Sequence, residues 1–320
     1  MKQMSRIAFF VGTLVIFGLI QSVSACTIFM ASSGDGVLAG NNEDWYIVDS
    51  YIQFIPGDEG EYGQVYFGTT EWYAEGGMNT EGLFYDVAAI AAVAMNDHPE
   101  KSWLSKWPPV VMLESCKNVS EAIQLFNSSR FDTSISYQLL VADRNGDAVV
   151  FAPGADGEWH FLLKDSEEYL VVTNFNLETN PDYTGCIRYN TATNMLEDMG
   201  LNLSIEYFTE ILEAVHNPPG GGSETIYSNI CDLVNGDIYL FYMNDYSSFV
   251  QFDLEEELEL GSHLYKIENL FPEETSSVTT VPTSSSTHMP PEESLIITVV
   301  GLVGGAAIGL VALFLISRRM

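Results

Sequence analysis

Ala25-Cys26-Thr27-Ile28-Phe29-Met30, running on to Gly40-Asn41-Asn42-Glu43-Asp44-Trp45, is the stretch from which the rest of the chain can be placed. The residues before it, 1–25, read as a secretory leader. Lys2 and Arg6 form a basic region, Ile7 to Ile20 is apolar, and Val23-Ser24-Ala25 is a small-residue cleavage pattern. Cleavage there makes Cys26 the first mature residue. Thiol and free α-amine then sit on one amino acid, which supplies a nucleophile and a base together. Val23 to Cys26 also fits a lipoprotein signal, in which the sulfur carries lipid and the amine is blocked.

The other end bears on that choice. Leu295 to Ile316 is a run of 22 uncharged residues, and roughly 20 apolar residues span a bilayer. Ser317-Arg318-Arg319-Met320 follows, and arginines directly after a span mark the cytoplasmic side. The expectation is a single-pass anchor at the cell membrane, with the body outside and residues 317–320 cytoplasmic. A lipid on Cys26 is then a redundant second anchor. Residues 267–294 include Glu273 to Ser294, rich in Ser, Thr, Pro and Glu with little to bury, and read as a disordered stalk.

Residues 26–266 remain for one domain, and a segment of about 245 residues is ample for a large core. Outside the leader and tail the chain carries 8 basic against 44 acidic residues. Nucleic acid and anionic membrane surfaces are excluded as partners by repulsion. The cysteines are Cys26, Cys116, Cys186 and Cys231, without a CxxC or a Cys/His cluster; no metal site is expected. One disulfide among the last three is open, and the sequence does not choose the pair. The five histidines show no motif spacing, and a Cys/His site at Cys116 finds no partner in the sequence. Asn118, Asn127 and Asn202 stand in glycan acceptor sequons.

Turn chemistry and periodicity place the elements. A hairpin is expected over Cys26–Ala31 and Val37–Gly40, then strands at 51–55, 64–67 and 83–90. Helices follow at 108–116 and 119–126, the second with Val119, Ile123 and Phe126 on one face. Asn145-Gly146 and Asn235-Gly236 signal two further hairpins. Helices are expected at 186–199 and 205–216 between them. Hairpins imply antiparallel sheets, and the amphipathic helices need a sheet face to cover. Two stacked sheets between helical layers, an α+β arrangement, satisfy both demands.

Cys26-Thr27-Ile28-Phe29, Gly40-Asn41-Asn42-Glu43-Asp44-Trp45, Gly77-Met78-Asn79-Thr80-Glu81-Gly82-Leu83, Val172-Thr173-Asn174 and Thr225 to Leu233 come in an order that resembles the choloylglycine hydrolase and penicillin V acylase family. Acyltransferase-like peptidases share parts of the pattern. The resemblance covers about residues 26–260 and implies an αββα N-terminal nucleophile (Ntn) hydrolase sandwich, without a cofactor, that cleaves linear non-peptide amides. It implies Cys26 as the nucleophile forming a thioester, Asp44 as the acid that orients it, and Asn174 as the oxyanion donor. Arg188 is implied as the arginine serving the site, and Trp45, Trp72 and Tyr73 as lining for an acyl pocket. Two positions depart from the family: Asn41 replaces an arginine, and an alanine in Tyr85-Asp86-Val87-Ala88-Ala89 falls where a polar oxyanion contact is usual. An acyltransferase of the same fold and a catalytically idle surface binding module are the alternative expectations. The sequence leaves substrate and oligomeric state open.

Overall fold

The computed structural model describes residues 26–271, apart from 47, 71–73, 105, 165–166, 182–183, 201 and 221–222, together with Thr279 and Thr280. The expected leader, residues 272–278 and 281–294 of the stalk, and the apolar span 295–316 lie outside the described residues. Among the described residues no helix is long and apolar enough to cross a membrane. The chain divides into two compact units, Met1–Ser286 and Thr287–Met320, and the described residues all belong to the first.

β1 (Thr27–Ser33) and β2 (Gly36–Trp45) form the opening hairpin, turning at Gly34, whose φ of 59° is open to glycine at little cost. β3 (Ser50–Ile55), β4 (Gln64–Thr69), β5 (Gly76–Asn79) and β6 (Phe84–Ala94) continue antiparallel. After a short β7 (Ser102–Trp103) come α1 (Pro108–Ser115), α2 (Val119–Ser128) and a short β8 (Ser129–Arg130). β9 (Ser134–Ala142), β10 (Ala148–Pro153), β11 (Trp159–Leu163) and β12 (Tyr169–Val172) precede α3 (Ile187–Asp198) and α4 (Ile205–Val215). β13 (Glu224–Asp232), β14 (Asp237–Tyr242), β15 (Asp245–Asp253), α5 (Leu254–Glu259), β16 (His263–Lys266), a 3₁₀ turn (Ile267–Leu270) and β17 (Thr279–Thr280) complete the order.

The strands form two large sheets. One has the order β12-β1-β2-β13-β14-β15-β17 and the other β11-β10-β9-β6-β5-β4-β3-β16. Ile28, Met30 and Ala39 of the first sheet pack with Phe54, Val65, Phe67 and Phe84 of the second in an apolar layer between them. α1 and α2 cover the outer face of the second sheet through Leu113, Ala122 and Phe126. α3 and α4 cover the first through Ala192, Leu196, Phe208 and Leu212. The result is a mixed α+β fold in four layers, helix–sheet–sheet–helix.

Local chemistry accounts for these elements. α4 buries Phe208, Ile211, Leu212 and Val215, one helical stripe, and starts where the Ser204 side chain accepts from the Tyr207 N–H. α2 starts likewise at Asn118, whose side chain accepts from the Glu121 N–H. Two expectations change. Asn41 to Trp45, beyond the expected strand end, is all strand, and Gly76 to Asn79, outside the expected strands, is β5. Between them the runs are rich in Gly and Asn, which mark loops when exposed; here every residue from Val37 to Asp44 is buried and hydrogen-bonded in the sheet.

Candidate active site

Strand register decides what surrounds Cys26. Thr27 stands opposite Asn42 on β2, and Ile28 stands opposite Val172 on β12. Carried to the head of β1, the two ladders put Glu43 on one side of Cys26 and Asn174 on the other. Opposed residues of antiparallel strands project from the same face. Accordingly, the Cys26 thiol donates to Oε1 of Glu43 at 3.3 Å. Both residues are only 2% exposed.

Alternation sends Asp44 to the opposite face, toward the helices. A bulge in β13 follows this split: Thr225 pairs with Asp44 while Tyr227 pairs with Glu43, leaving Ile226 as the extra residue. The Thr225 hydroxyl donates to Oδ1 of Asp44. Arg188, in the first turn of α3, reaches into the same place. Its Nη1 donates to the Cys26 carbonyl at 2.8 Å and to Oγ1 of Thr27 at 2.6 Å, and lies 3.4 Å from Oδ2 of Asp44. Its Nη2 donates to Oδ1 of Asn174 at 3.1 Å. Nδ2 of Asn174 in turn donates to the Ala89 carbonyl at 3.0 Å, beside an irregularity in the β6–β9 ladder between Ala89 and Val93. A chain of hydrogen bonds thus runs from Cys26 in one sheet through Arg188 and Asn174 to Ala89 in the other.

Burial dominates the electrostatics. It pushes the Glu43 carboxyl up to about 7, against the hydrogen bonds from Cys26 and Asn41. It pushes Asp44 up to about 8, against the Thr225 hydroxyl and the Arg188 charge. Asp86 is raised well above the carboxylate range by burial and then by the charge of Glu43. Oδ1 of Asp86 accepts from the Val87 N–H at 2.7 Å. Its Oδ2, the Asn41 Oδ1 and the Asn229 Nδ2 are buried without a hydrogen-bond partner among the described residues. The polar side chains near the thiol therefore form an island inside an otherwise apolar inter-sheet layer.

Of the residues singled out in the sequence, Cys26, Asp44, Asn174 and Arg188 come together here. Trp45 packs half-buried against the inter-sheet core, its Nε1 buried without a hydrogen-bond partner among the described residues. Trp72 and Tyr73 lie outside the described residues. Cys116, Cys186 and Cys231 are free thiols, so none of the three possible disulfides is formed. Cys116 sits in the core under α1 and α2, where burial pushes its thiol up to about 11. Among the described residues no group of three or more His, Cys, Asp and Glu is placed to hold a metal. Sequence reasoning passed over Glu43, Thr225, Asp86 and Tyr227. A usable signal existed for the first: the turn at Gly34-Asp35, counted back along both strands, places Glu43 opposite Cys26.

Four layers with Cys26 at the head of β1 are the arrangement that the resemblance to the choloylglycine hydrolase and penicillin V acylase family implies. Solved structures bear this out at the level of fold. A Cys-to-Ala mutant of conjugated bile acid hydrolase from Clostridium perfringens superposes with a TM-score of 0.60 at 13% identity, covering 81% of this chain and 100% of that one. A variant of that hydrolase with an arginine replaced by leucine gives 0.60 at 14%, with the same coverage. Penicillin V acylase from Agrobacterium tumefaciens gives 0.58 at 15%, covering 72% of this chain and 87% of its own. No protein-family model matches the sequence, and no curated protein matches it at a significant level. The chain has the fold of these hydrolases at very low sequence identity.

Proposed function

We propose that the domain is an extracellular amidohydrolase that cleaves a linear, non-peptide amide of an N-acyl substrate through a thioester on Cys26. The observation that carries this reading is the thiol at the head of β1, with Arg188 on its carbonyl and Asn174 beside it. In the reaction the thiolate sulfur attacks the amide carbonyl carbon, and the carbonyl electrons move onto oxygen. Nδ2 of Asn174 has two hydrogens, and one directed at that oxygen stabilises the developing charge; losing such a donor typically costs ~10²–10³ in rate. Arg188, by donating to Oδ1 of Asn174, fixes which end of the amide faces the site. The C–N bond then breaks, the amine leaves with a proton, and water hydrolyses the thioester.

Release of residues 1–25 turns the Cys26 amide nitrogen into an amine with an unperturbed pKa near ~8. That group takes and returns protons, and its ammonium form favours ionised Asp44. We place the domain outside the cell on a stalk, held by the span 295–316, with glycans on Asn118, Asn127 and Asn202. Asn118 caps α2 through its oxygen, leaving the amide nitrogen for a sugar. The acyl portion of the substrate is taken as apolar and lies against Trp45.

A surface binding module without catalysis is the second reading, favoured by Asn41 where the resemblance calls for arginine. Two measurements separate them. The mature N-terminus, read by mass spectrometry, should be free Cys26; a lipid adduct or retained leader ends the enzyme reading. Wild type should hydrolyse members of an N-acyl amide panel that Cys26→Ser leaves intact. Equal behaviour of the two proteins leaves only the binding module.

A further inference from the structure

The inner neighbour of the thiol is a carboxyl, and thioester formation assisted by the α-amine gives it no task. From the 3.3 Å contact between Sγ of Cys26 and Oε1 of Glu43, we infer that Glu43 is a catalytic residue: its carboxylate takes the thiol proton as sulfur attacks. The inference rests on Cys26 being a nucleophile, and goes beyond it by assigning the base.

Three observations support it. First, the pairing is built by register, since the β1–β2 ladder sets Glu43 opposite Cys26 on one face. Second, the geometry is that of a donor and acceptor within reach of direct proton transfer. Third, burial holds the acid near neutrality, at about 7, where a carboxylate accepts a proton far better than an ordinary glutamate does. Asp44 cannot substitute, because it projects to the other face and engages Thr225 and Arg188.

The titratable groups around Glu43 come from four strands. Cys26 and Asn41 hydrogen-bond to it from β1 and β2, and Asp44 follows it on β2. Asp86 on β6 and Tyr227 on β13 feel its charge, both raised chiefly by burial. Burial drives both Asp86 and Tyr227 toward the protonated form, while Glu43 ionises near neutral pH.

The step balances. The S–H bond breaks, its proton goes to the Glu43 carboxylate, and the sulfur lone pair forms the C–S bond with the acyl carbon. The proton on Glu43 then passes to the departing amine nitrogen as the C–N bond breaks. This returns the carboxylate to its starting state before water attacks the thioester.

The test needs no substrate, so its failure is distinct from failure of the hydrolase reading. Full-length protein, with its N-terminus determined, is treated with iodoacetamide across a pH series. Modification of Cys26 is followed by peptide mass spectrometry, with the half-buried Cys186 as internal reference. Wild type should show a Cys26 rate that rises through an inflection near neutral pH. Glu43→Gln should lose that inflection and react about 10²-fold more slowly at neutral pH. Glu43→Asp, which retracts the carboxylate, should keep an inflection but lose most of the rate. Identical profiles in wild type and both variants overturn the assignment. So does a wild-type Cys26 that stays unmodified while Cys186 reacts. A Glu43-dependent profile in a protein that hydrolyses no N-acyl amide sustains the base and refutes the hydrolase.

Discussion

The two faces of β2 treat buried acid differently. On the outer face Asp44 has a guanidinium at 3.4 Å and a hydroxyl donor from the opposed strand. On the inner face Glu43 and Asp86 meet a thiol, an asparagine amide and a backbone N–H, and among the described residues no ion pair reaches either. The outer acid belongs to a clamp: it fixes Arg188, which fixes Cys26 and Asn174. Burial raises the acids of both faces, and among the described residues no cation opposes it on the inner one. One strand thus supplies a rigid support and a proton acceptor from adjacent residues, separated only by side-chain alternation.

Breaking the clamp should give the largest effect. Arg188→Met removes the donor to Cys26, Thr27 and Asn174 and strands Asp44. We expect a loss of about 3 kcal/mol in denaturant unfolding, and at least ~10² in hydrolysis through misplacement of Asn174. The inner face should answer to pH instead. Glu43 has its ordinary value of 4.5 in the unfolded chain and about 7 when folded. Its favourable share is therefore complete below 4.5 and lost as pH rises through 7. Asp44 acts in the same sense between 3.8 and about 8. Glu43→Gln should raise the melting temperature at pH 8 while changing it little at pH 4, a gain on the order of 2 kcal/mol. An unchanged pH slope would show that the acid is not protonated in the fold.

Thr225→Val tests the clamp more gently. It keeps the shape and removes the hydroxyl that serves Asp44, for an expected cost of about 1–2 kcal/mol, with hydrolysis falling less than in Arg188→Met. Ser204→Ala, at the head of α4 and outside both faces, should cost about 1 kcal/mol of stability through loss of the cap. It should leave hydrolysis and the pH slope as in wild type. If it moves either, the two faces are not independent of the helix layer.

Much of the fold is legible in the sequence, for physical reasons that differ by element. The hairpin turns and the amphipathic stripe of α4 carry local signals, and the structure places them within a residue or two of their expected ends. α3 is also met within a residue, expected at 186–199 and running from Ile187 to Asp198. It leaves Ile187 81% exposed while turning Arg188 inward, so hydrophobic periodicity misdescribes the face that matters. Its arginine is found through the motif order, not through the helix. Thr225 and Asp86 escape notice because their roles arise from pairing across strands distant in sequence. The β13 bulge that separates Thr225 from Tyr227 leaves no mark in composition. Glu43 escapes for another reason: it lies inside the motif at 40–45, but its meaning depends on counting register back from the turn.

Gly76 gives the buried acid a diagnostic sequence correlate. A Cβ on Gly76 would stand 2.2 Å from Oδ2 of Asp86, so a side chain at 76 forces the carboxyl at 86 or one of the two strands to move. The two positions are coupled in this packing, and the expected outcome is that related chains with an acid at 86 have glycine at 76. Related chains could therefore be sorted by these two letters, read together, into those that keep a charge reserve between the sheets and those that have filled the space with hydrocarbon.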